Sequence, residues 1–350
     1  MNKISPATSP QELYIRENVS LKAFNSFQVD AYTSHLAEIY SVEQLKSLLE
    51  HKIFNDQKKL ILGGGSNILF KGNFKGLVVR ICIPGVKLIK EDEHHVWIRV
   101  GAGVNWHEFI MYCLKRELAG LENLSLIPGS VGAAPIQNIG AYGVEQDQFF
   151  HQLEAIDIQS GKFVLFEKED CGFTYRDSVF KNGLKNRFII SSVTYRLNKK
   201  PDVNINYGNI SEKLQEMKVH SPTIHDVSDA VCQIRRSKLP DPAELGNSGS
   251  FFKNPIVNQE VFQALIKRYP GMVNYPLTEG EVKIPAGWLI EQSGWKGKTI
   301  GSVGTHKKQA LVIVNYGGAS GNEIYDFAMQ VKATVHKKYG ISLIPEVNIL

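Results

Sequence analysis

The stretch Ile127-Pro-Gly-Ser-Val-Gly-Ala-Ala-Pro-Ile-Gln-Asn-Ile-Gly-Ala-Tyr-Gly143 contains four glycines and no charged side chain. Glycine has no Cβ and tolerates positive φ, so such a run can bring backbone N–H groups close to a bound anion. Its spacing matches neither the dinucleotide pattern G-x-G-x-x-G between a strand and a helix nor a phosphate loop ending in Gly-Lys-Ser/Thr. A tightly turned structural loop and a cofactor-binding loop both remain open on this stretch alone.

A second glycine run, Gly63-Gly-Gly-Ser-Asn67, directly follows Lys59–Leu62, whose apolar residues predict a short buried strand. Ligands of α/β sheets usually bind at the carboxyl ends of strands. Three consecutive glycines exceed what a plain turn needs, so we favour contact with an anion over a simple turn. Residues 76–81 are predicted as the next strand, which makes the first region a small α/β unit.

Capping residues predict two helices in the first half of the chain. Ser41 opens a capping-box pattern ahead of an apolar helical stripe, so a helix is predicted over residues 41–54. Asn105 and Glu108 form a second cap pair in front of another apolar stripe. His107 lies beside that stripe and is predicted to be a surface residue.

The remaining elements make the second region α+β and open a third region at Pro240. Short links between the strands of the second region predict antiparallel pairing. A capping box at Ser320 begins a helix that Gly340 ends. The other predicted strands cover residues 95–100, 153–159, 162–167, 188–197, 310–315 and 341–350, and the other predicted helices cover residues 226–234, 258–269 and 285–292.

The composition is that of an ordinary soluble globular chain, and 350 residues allow two or three domains. The net charge of +5 is spread along the chain, and no basic stripe with interleaved aromatic residues argues for nucleic-acid binding. Four widely separated cysteines without zinc spacing are expected to be reduced core thiols, and no metal site is predicted. Because no apolar run approaches membrane-spanning length, we expect a cytoplasmic protein.

Three residues in connecting segments carry chemistry that the sequence leaves open. Arg176 lies in Tyr-Arg-Asp, which suits either a surface salt bridge of small energetic value or an arginine presented to a ligand. Ser250 follows two small residues and is either a structural hydroxyl or a reactive one. Glu346 lies in an apolar C-terminal segment, either on its polar face or buried for a functional reason.

Eight motifs in register resemble those of one family, UDP-N-acetylenolpyruvoylglucosamine reductase, the flavoenzyme that makes the muramic acid sugar of bacterial peptidoglycan. The resemblance runs from about Asn25 to the last residue. The motifs are Asn25-Ser-Phe27, Leu62-Gly-Gly-Gly-Ser-Asn-Ile-Leu69, the loop from Ile127 to Gly143, Tyr175-Arg-Asp177, Arg235-Arg-Ser-Lys-Leu-Pro240, Gly249-Ser-Phe-Phe-Lys-Asn254, Ala286-Gly-Trp-Leu-Ile-Glu291 and Pro345-Glu-Val347.

The resemblance implies an α+β protein with a two-domain FAD-binding fold of the vanillyl-alcohol-oxidase type and a third α+β substrate-binding domain. The implied first subdomain is 1–83, joined by a C-terminal tail of 337–350. The second subdomain is then 84–238, and the substrate-binding domain is 239–336. One type in this family has an extra segment whose tyrosine folds over the substrate, and Asn206-Tyr-Gly208 resembles that segment.

The implied reaction uses NADPH to reduce FAD and then passes the hydride to UDP-N-acetylglucosamine enolpyruvate. The neighbouring vinyl carbon becomes carbanion-like and must receive a proton. By resemblance, Ser250 is the proton donor, while Arg176 and Glu346 stabilise the charge on the substrate carboxylate. An arginine fork pairs well with a carboxylate. A second carboxylate would repel it, so Glu346 is expected to be protonated or closely paired with Arg176.

The resemblance also implies contacts with the cofactor and the substrate. Lysine and tyrosine suit these roles, because an ammonium group binds a diphosphate and an aromatic ring covers a ligand. The implied FAD-binding residues are Gly63, Gly64, Gly65, Ser66, Asn67, Pro128, Gly129, Gly132, Gln137 and Gly140. The implied substrate-binding residues are Tyr207, Lys238, Asn254 and Gln309.

Two other functions compete with this reaction. A flavin oxidase that uses O₂ would keep the fold and have no need of Ser250. A flavin-binding subunit that only relays electrons would have little use for the third region, where several of the motifs lie. The sequence has no local motif that reads the 2′-phosphate of NADPH, so the preference for NADPH over NADH rests on resemblance, as does a monomeric state.

Overall fold

The computed structural model describes residues 12–277 and 280–350. In these ranges the strands are β1 (Ile15–Ser20), β2 (Tyr32–Ile39), β3 (Lys59–Leu62), β4 (Ile68–Leu69), β5 (Phe74–Ile81), β6 (Val86–Glu91), β7 (His95–Gly101), β8 (Gly140–Ala141), β9 (Val144–Glu145), β10 (Phe150–Asp157), β11 (Phe163–Glu167), β12 (Phe188–Asn198), β13 (Gly246–Ser250), β14 (Ile256–Asn258), β15 (Tyr275–Pro276), β16 (Glu281–Lys283), β17 (Thr299–Ile300), β18 (Val303–Thr305), β19 (Val312–Asn315) and β20 (Asn348–Ile349).

The helices in the same ranges are α1 (Val42–Glu50), α2 (Lys52–Asp56), α3 (Trp106–Leu114), α4 (Ile210–Glu216), α5 (Ile224–Lys238), α6 (Gln259–Arg268), α7 (Ala286–Gln292) and α8 (Gly321–Tyr339). None of these helices combines the length and apolar character that crossing a bilayer demands.

The chain forms two compact units whose segments interleave along the sequence. Of the described residues, unit 1 contains 12–19, Thr33–Gly64 and Lys75–Ile234, and unit 2 contains Ser20–Tyr32, Gly65–Phe74 and Arg235–Leu350. The predicted three-domain division stays a prediction. Its border at 83 falls inside unit 1, whereas its border at 238 lies four residues from the division between the units.

Unit 1 is built around two sheets. The four-stranded sheet has the order β1-β2-β5-β3, and β3 pairs with β5 in parallel. The five-stranded sheet has the order β11-β10-β12-β7-β6 and is antiparallel throughout, which confirms the pairing expected from short links. The apolar stripe of α3, with Trp106, Phe109 and Ile110, joins the buried core of this unit.

Unit 2 brings early and late parts of the chain into shared sheets and helix contacts. An antiparallel sheet has the order β13-β19-β18-β17, a three-stranded sheet has the order β14-β16-β15, and β20 pairs in parallel with β4. Helix α8 begins with the predicted capping box, because Ser320 accepts from the Glu323 N–H while the Glu323 carboxylate bonds the Ser320 backbone. Gly340 ends it in the left-handed conformation at φ 71°.

Some predicted elements differ clearly from those in the structure. The helix predicted over 41–54 is interrupted at His51, whose extended backbone ends α1 and whose side chain caps α2. Helix α5 is longer than predicted, since it begins at Ile224 and ends at Lys238. The C-terminal strand predicted over 341–350 is paired in a named strand only at Asn348–Ile349, so Glu346 lies before the strand rather than within it.

Candidate active site

The two glycine runs meet in unit 1, because Gly63 and Gly64 lie against the start of the longer glycine loop. A Cβ on Gly64 would stand 3.0 Å from the Gly129 Cα, and a Cβ on Gly63 would overlap the Ser130 hydroxyl oxygen. Only glycine therefore fits at Gly63 and Gly64 without displacing the facing loop. The structure brings together residues of two runs that are separated by more than sixty positions in the sequence.

The longer loop is held in place by the connection between β7 and α3. The Trp106 N–H donates to the Gly129 carbonyl over 3.0 Å, and the Gly132 N–H donates to the Ala102 carbonyl over 2.9 Å. A Cβ on Gly132 would stand 3.0 Å from the Ala102 Cα, so this approach also requires glycine. These bonds fix the loop backbone through main-chain partners that the sequence pattern does not reveal.

His107 has a role that its predicted surface position does not include. It is half-buried, and its Nδ1 accepts a hydrogen bond from the Leu126 N–H over 3.0 Å. Leu126 has a left-handed backbone with φ 60°, a conformation that costs energy for a side chain with a Cβ. His107 is therefore partly exposed, and it also stabilises the entry to the glycine loop.

The residues around this contact fit the pyrophosphate of a dinucleotide cofactor. The Ser130 hydroxyl is buried and has no hydrogen-bond partner, which is costly unless a ligand supplies one. It adjoins Gly63, and glycine-rich turns of this kind can present backbone N–H groups to an anion. Of the other predicted FAD residues in unit 1, Pro128 is exposed at the head of the loop and Gln137 is half-buried at the end of a 3-10 turn.

Arg176 is bound to the far end of the glycine loop rather than lying on the surface. Its guanidinium donates to the carbonyls of Gly140 and Asn138 and forms an ion pair with Glu145 at 3.2 Å. Its side chain is only 16% exposed, and its backbone has φ 55°. A non-glycine residue in this region costs about 1–3 kcal/mol, so the strain is consistent with a functional position.

Tyr207 belongs to a segment of unit 1 that packs on the same loop. Tyr142 and Gly143 form the two-residue turn between β8 and β9, and both have positive φ, 51° and 79°. A Cβ on Gly143 would stand 3.0 Å from the Tyr207 Cβ. Tyr207 itself is 41% exposed.

Ser250 and Glu346 lie close together along the backbone of unit 2. Ser250 ends β13 directly after Gly249, whose φ is 67°. The next residue, Phe251, accepts a hydrogen bond from the Glu346 N–H over 2.9 Å. A main-chain bond therefore joins Glu346 to the residue that follows Ser250, while Arg176 belongs to unit 1.

The second half of the short glycine run lies beside this pair in unit 2. The Asn67 side-chain amide donates to the Glu346 carbonyl over 3.4 Å. The Ser248 hydroxyl, two residues before Ser250, donates to the Ser66 carbonyl over 2.7 Å. Gly65 has a φ of 67° and packs tightly on the backbone of Phe24. Within unit 2, Ser66 and Asn67 are therefore hydrogen-bonded to the segments that carry Ser250 and Glu346.

Lys238 ends α5 in unit 2, where it is exposed. Its backbone carbonyl accepts from the His306 ring, and burial lowers the pKa of His306 below its ordinary value. The Nδ1 atom of His306 is buried without a partner. Sequence reasoning missed His306, because a single histidine after a short strand carries no pattern.

Asn254 and Gln309 both lie against the start of α7. The Asn254 side-chain oxygen accepts from the Ala286 N–H over 2.9 Å. The Gln309 side-chain oxygen would stand 3.0 Å from a Cβ on Gly287, the next residue of the helix. The structure thus groups two of the predicted substrate residues around one helix end.

Family models match two parts of the chain. One is described as FAD binding domain and matches residues 34–166. The other is described as UDP-N-acetylenolpyruvoylglucosamine reductase, C-terminal domain, and matches residues 241–350. The first covers much of unit 1, including the contact between the glycine runs, and the second covers most of unit 2.

Curated relatives match over nearly the whole chain. The UDP-N-acetylenolpyruvoylglucosamine reductase of Amoebophilus asiaticus is 49% identical over 336 residues, covering 96% of this chain and 99% of that protein. The enzyme of the same name from Flavobacterium johnsoniae is 47% identical with the same coverage. The crystal structure of UDP-N-acetylenolpyruvylglucosamine reductase from Thermus caldophilus is similar in fold, with a TM-score of 0.67 at 23% identity over 96% of this chain and 99% of that one.

Proposed function

The chain belongs to the UDP-N-acetylenolpyruvoylglucosamine reductase family, and we propose that Ser250, Arg176 and Glu346 carry the reductive step of that family's reaction. The protein is an FAD-dependent oxidoreductase of peptidoglycan precursor synthesis. It reduces UDP-N-acetylglucosamine enolpyruvate to UDP-N-acetylmuramate with NADPH. Bound FAD supplies the hydride transfer from NADPH to the vinyl group of the substrate.

The observation that carries the residue assignment is the hydrogen-bonded assembly in unit 2. Ser250 and Glu346 are joined through Phe251, and Asn67 of the short glycine run bonds the Glu346 carbonyl. A proton donor must stand within hydrogen-bond reach of the carbon or oxygen that it serves. Main-chain bonds hold Ser250 in a fixed position of this kind. That position is beside the loop that we assign to FAD.

Each of the three residues has a distinct task in this proposal. Ser250 delivers a proton to the carbanion-like carbon of the reduced enolpyruvyl group. Arg176 pairs with the substrate carboxylate, to which the charge spreads, and its planar fork suits a carboxylate. Glu346 acts with Arg176 at the same carboxylate, which requires it to be protonated or closely paired, because like charges repel.

The proposed substrate contacts rest on the resemblance to the same family. Lys238 contacts the diphosphate as a point charge, and Asn254 and Gln309 contribute polar groups near the start of α7. Tyr207 covers the sugar nucleotide and excludes water from it. With its segment 204–208, the chain is of the type that has the extra tyrosine-bearing segment.

We extend the proposal to the state of the protein in the cell. It acts as a monomer in the cytoplasm, where its NADPH and UDP-sugar are available. The division into subdomains 1–83 with 337–350, 84–238 and 239–336 is part of the same proposal and assigns Lys238 to the end of the second.

The first experiment is a spectrum of the purified yellow protein followed by anaerobic half-reactions. NADPH should bleach the flavin, and UDP-N-acetylglucosamine enolpyruvate should restore its oxidised spectrum without air. Recovery only on admission of O₂ would indicate an oxidase instead. A protein whose flavin is reduced but ignores the sugar nucleotide would indicate an electron-relay subunit.

The assignment of Ser250 is tested by Ser250→Ala with Ser248→Ala as the matched control on the same strand. Loss of a positioned general acid should slow flavin reoxidation by the sugar nucleotide roughly 10²–10⁴-fold and leave flavin reduction by NADPH unchanged. Ser248→Ala removes a hydroxyl that bonds Ser66 and should retain the reoxidation rate. Parental reoxidation in Ser250→Ala would contradict the assignment, and parental rates in Glu346→Gln across pH would exclude Glu346 as a required residue.

A further inference from the structure

Asn123 is a buried polar residue that no sequence pattern assigns to a site. It lies in the 3-10 turn Glu122–Leu124 of unit 1, and only 1% of its surface is exposed. Its side-chain amide donates two hydrogen bonds, one to the Tyr142 carbonyl over 3.0 Å and one to the Asn204 carbonyl over 2.8 Å. One amide group therefore bridges two segments that are distant in the sequence.

Both of these carbonyls belong to segments that adjoin or carry Tyr207. Tyr142 belongs to the turn between β8 and β9, where its φ of 51° makes it a strained residue that benefits from a fixed partner. Asn204 begins the segment that carries Tyr207, and its own side chain accepts from the Asn206 N–H over 3.3 Å. Gly143 completes the arrangement, since it has no side chain between its backbone and the Tyr207 Cβ.

The side-chain oxygen of Asn123 indicates that the two N–H donors are the reason for an asparagine at this position. Its side-chain oxygen is buried and has no hydrogen-bond partner. Leaving a buried acceptor unsatisfied is unfavourable, so an amide is a poor choice here unless both of its N–H groups are needed. An apolar residue at this position would leave the Tyr142 and Asn204 carbonyls without the donors that Asn123 supplies.

We propose that Asn123 is a positioning residue for the sugar nucleotide, and that it acts by fixing the tyrosine segment, residues 204–208, on the turn at Tyr142 and Gly143. This inference rests on the proposed role of Tyr207 as the residue that covers the substrate. Asn123 touches neither substrate nor cofactor in this scheme. It sets the place from which the Tyr207 ring reaches the substrate.

The test combines Asn123→Ala and Tyr207→Ala in a double-mutant cycle on the FAD-loaded protein. Losing two buried hydrogen bonds should raise the KM for UDP-N-acetylglucosamine enolpyruvate about tenfold or more in Asn123→Ala. The rate of flavin reduction at saturating NADPH should stay at the parental value. If Asn123 acts through Tyr207, the double variant should have the same KM as Tyr207→Ala alone.

Glu122→Gln is the matched control, because Glu122 is the buried neighbour and its carboxylate accepts from the Gly120 N–H. It should keep the parental KM. Asn123→Ser retains one donor and should give an intermediate KM, which keeps the inference testable if Asn123→Ala fails to fold. An equal KM increase from Asn123→Ala with and without Tyr207 would overturn the inference.

A second readout does not depend on catalysis. Chymotrypsin cleaves after exposed tyrosines, and loosening of the segment should speed cleavage after Tyr207 in Asn123→Ala but not in Glu122→Gln. Equal cleavage rates in the parent and in Asn123→Ala would overturn the inference. If the parent protein were cleaved more slowly than Asn123→Ala yet lacked the reductase reaction, the anchoring would stand and the proposed function would fail.

Discussion

The substitution Gly63→Ala should destabilise the parent protein. It should stabilise a variant in which Ser130 has lost its hydroxyl. In the parent chain, the new Cβ overlaps the Ser130 hydroxyl oxygen, and Ser130 is buried, so its side chain has little room to move. Overpacking of this kind costs about 1–3 kcal/mol. Gly63→Ala should therefore lower the free energy of unfolding by that amount.

The same change should be favourable in a Ser130→Ala background. Without the hydroxyl, the nearest atoms to the new Cβ are the Ala133 Cβ at 3.4 Å and the Cβ of residue 130 at 3.7 Å, which are ordinary contacts. Gly63 has no positive φ, so alanine reduces the entropy of the unfolded chain and gains about 0.4–1 kcal/mol. The coupling between the two substitutions should thus be on the order of 1.5–4 kcal/mol.

Urea unfolding of the FAD-free protein, followed by circular dichroism, measures the four corners of this cycle. Gly72→Ala is the control, because a Cβ there meets nothing within 4 Å. FAD affinity, measured by flavin fluorescence, should fall in Ser130→Ala because the hydroxyl without a protein partner is lost as a donor. Additive effects of Gly63→Ala and Ser130→Ala on unfolding would refute the inferred contact between the two glycine runs.

Three further outcomes follow from burial and close packing. Burial raises the pKa of Glu122, so the folded state holds this proton more tightly than the unfolded state, and the carboxyl costs stability increasingly as pH rises above its ordinary value of 4.5. Glu122→Gln should therefore have a higher Tm than the parent at pH 8 and lose that advantage towards pH 4, whereas equal Tm values at pH 8 would contradict this. Gly321→Ala should lower the Tm by the equivalent of about 1–3 kcal/mol or more, because its Cβ would overlap the Phe70 carbonyl, while Gly72→Ala should not. Burial raises the pKa of Cys171 to about 12, so iodoacetamide at pH 8 should label it only after unfolding, and fast labelling of the native protein would argue against its burial.

Local patterns in the sequence predicted most of the regular structure. The capping box at Ser320 and the glycine at Gly340 mark both ends of α8, since each satisfies backbone groups that a helix leaves unpaired. Short links likewise predicted the antiparallel pairing of β10 with β11 and β12. These predictions succeeded because cause and consequence lie within a few residues of each other.

The contacts that build the site depend on residues far apart in the chain. His107 and Asn123 hydrogen-bond backbone groups of distant segments, and the Ser130 hydroxyl is buried without a protein partner. None of these three residues belongs to a periodic pattern. Helix α1 illustrates the same limit at short range, because its apolar stripe continues past His51 although the backbone there is extended. The roles of Arg176, Ser250 and the other site residues stay predictions that the variants above test.

The pairing of β20 with β4 has a consequence for synthesis on the ribosome. Asn348 donates to the carbonyl of Asn67, 281 residues earlier, and the Lys71 N–H donates to the Leu350 carbonyl. At about 5–20 residues per second, β4 waits roughly 15 seconds to a minute for its partner to emerge. During that interval its strand edge is open to other chains, and Glu346 is absent. A nascent chain thus carries the glycine run long before the C-terminal segment can bond to it, and it depends on this delay passing without aggregation.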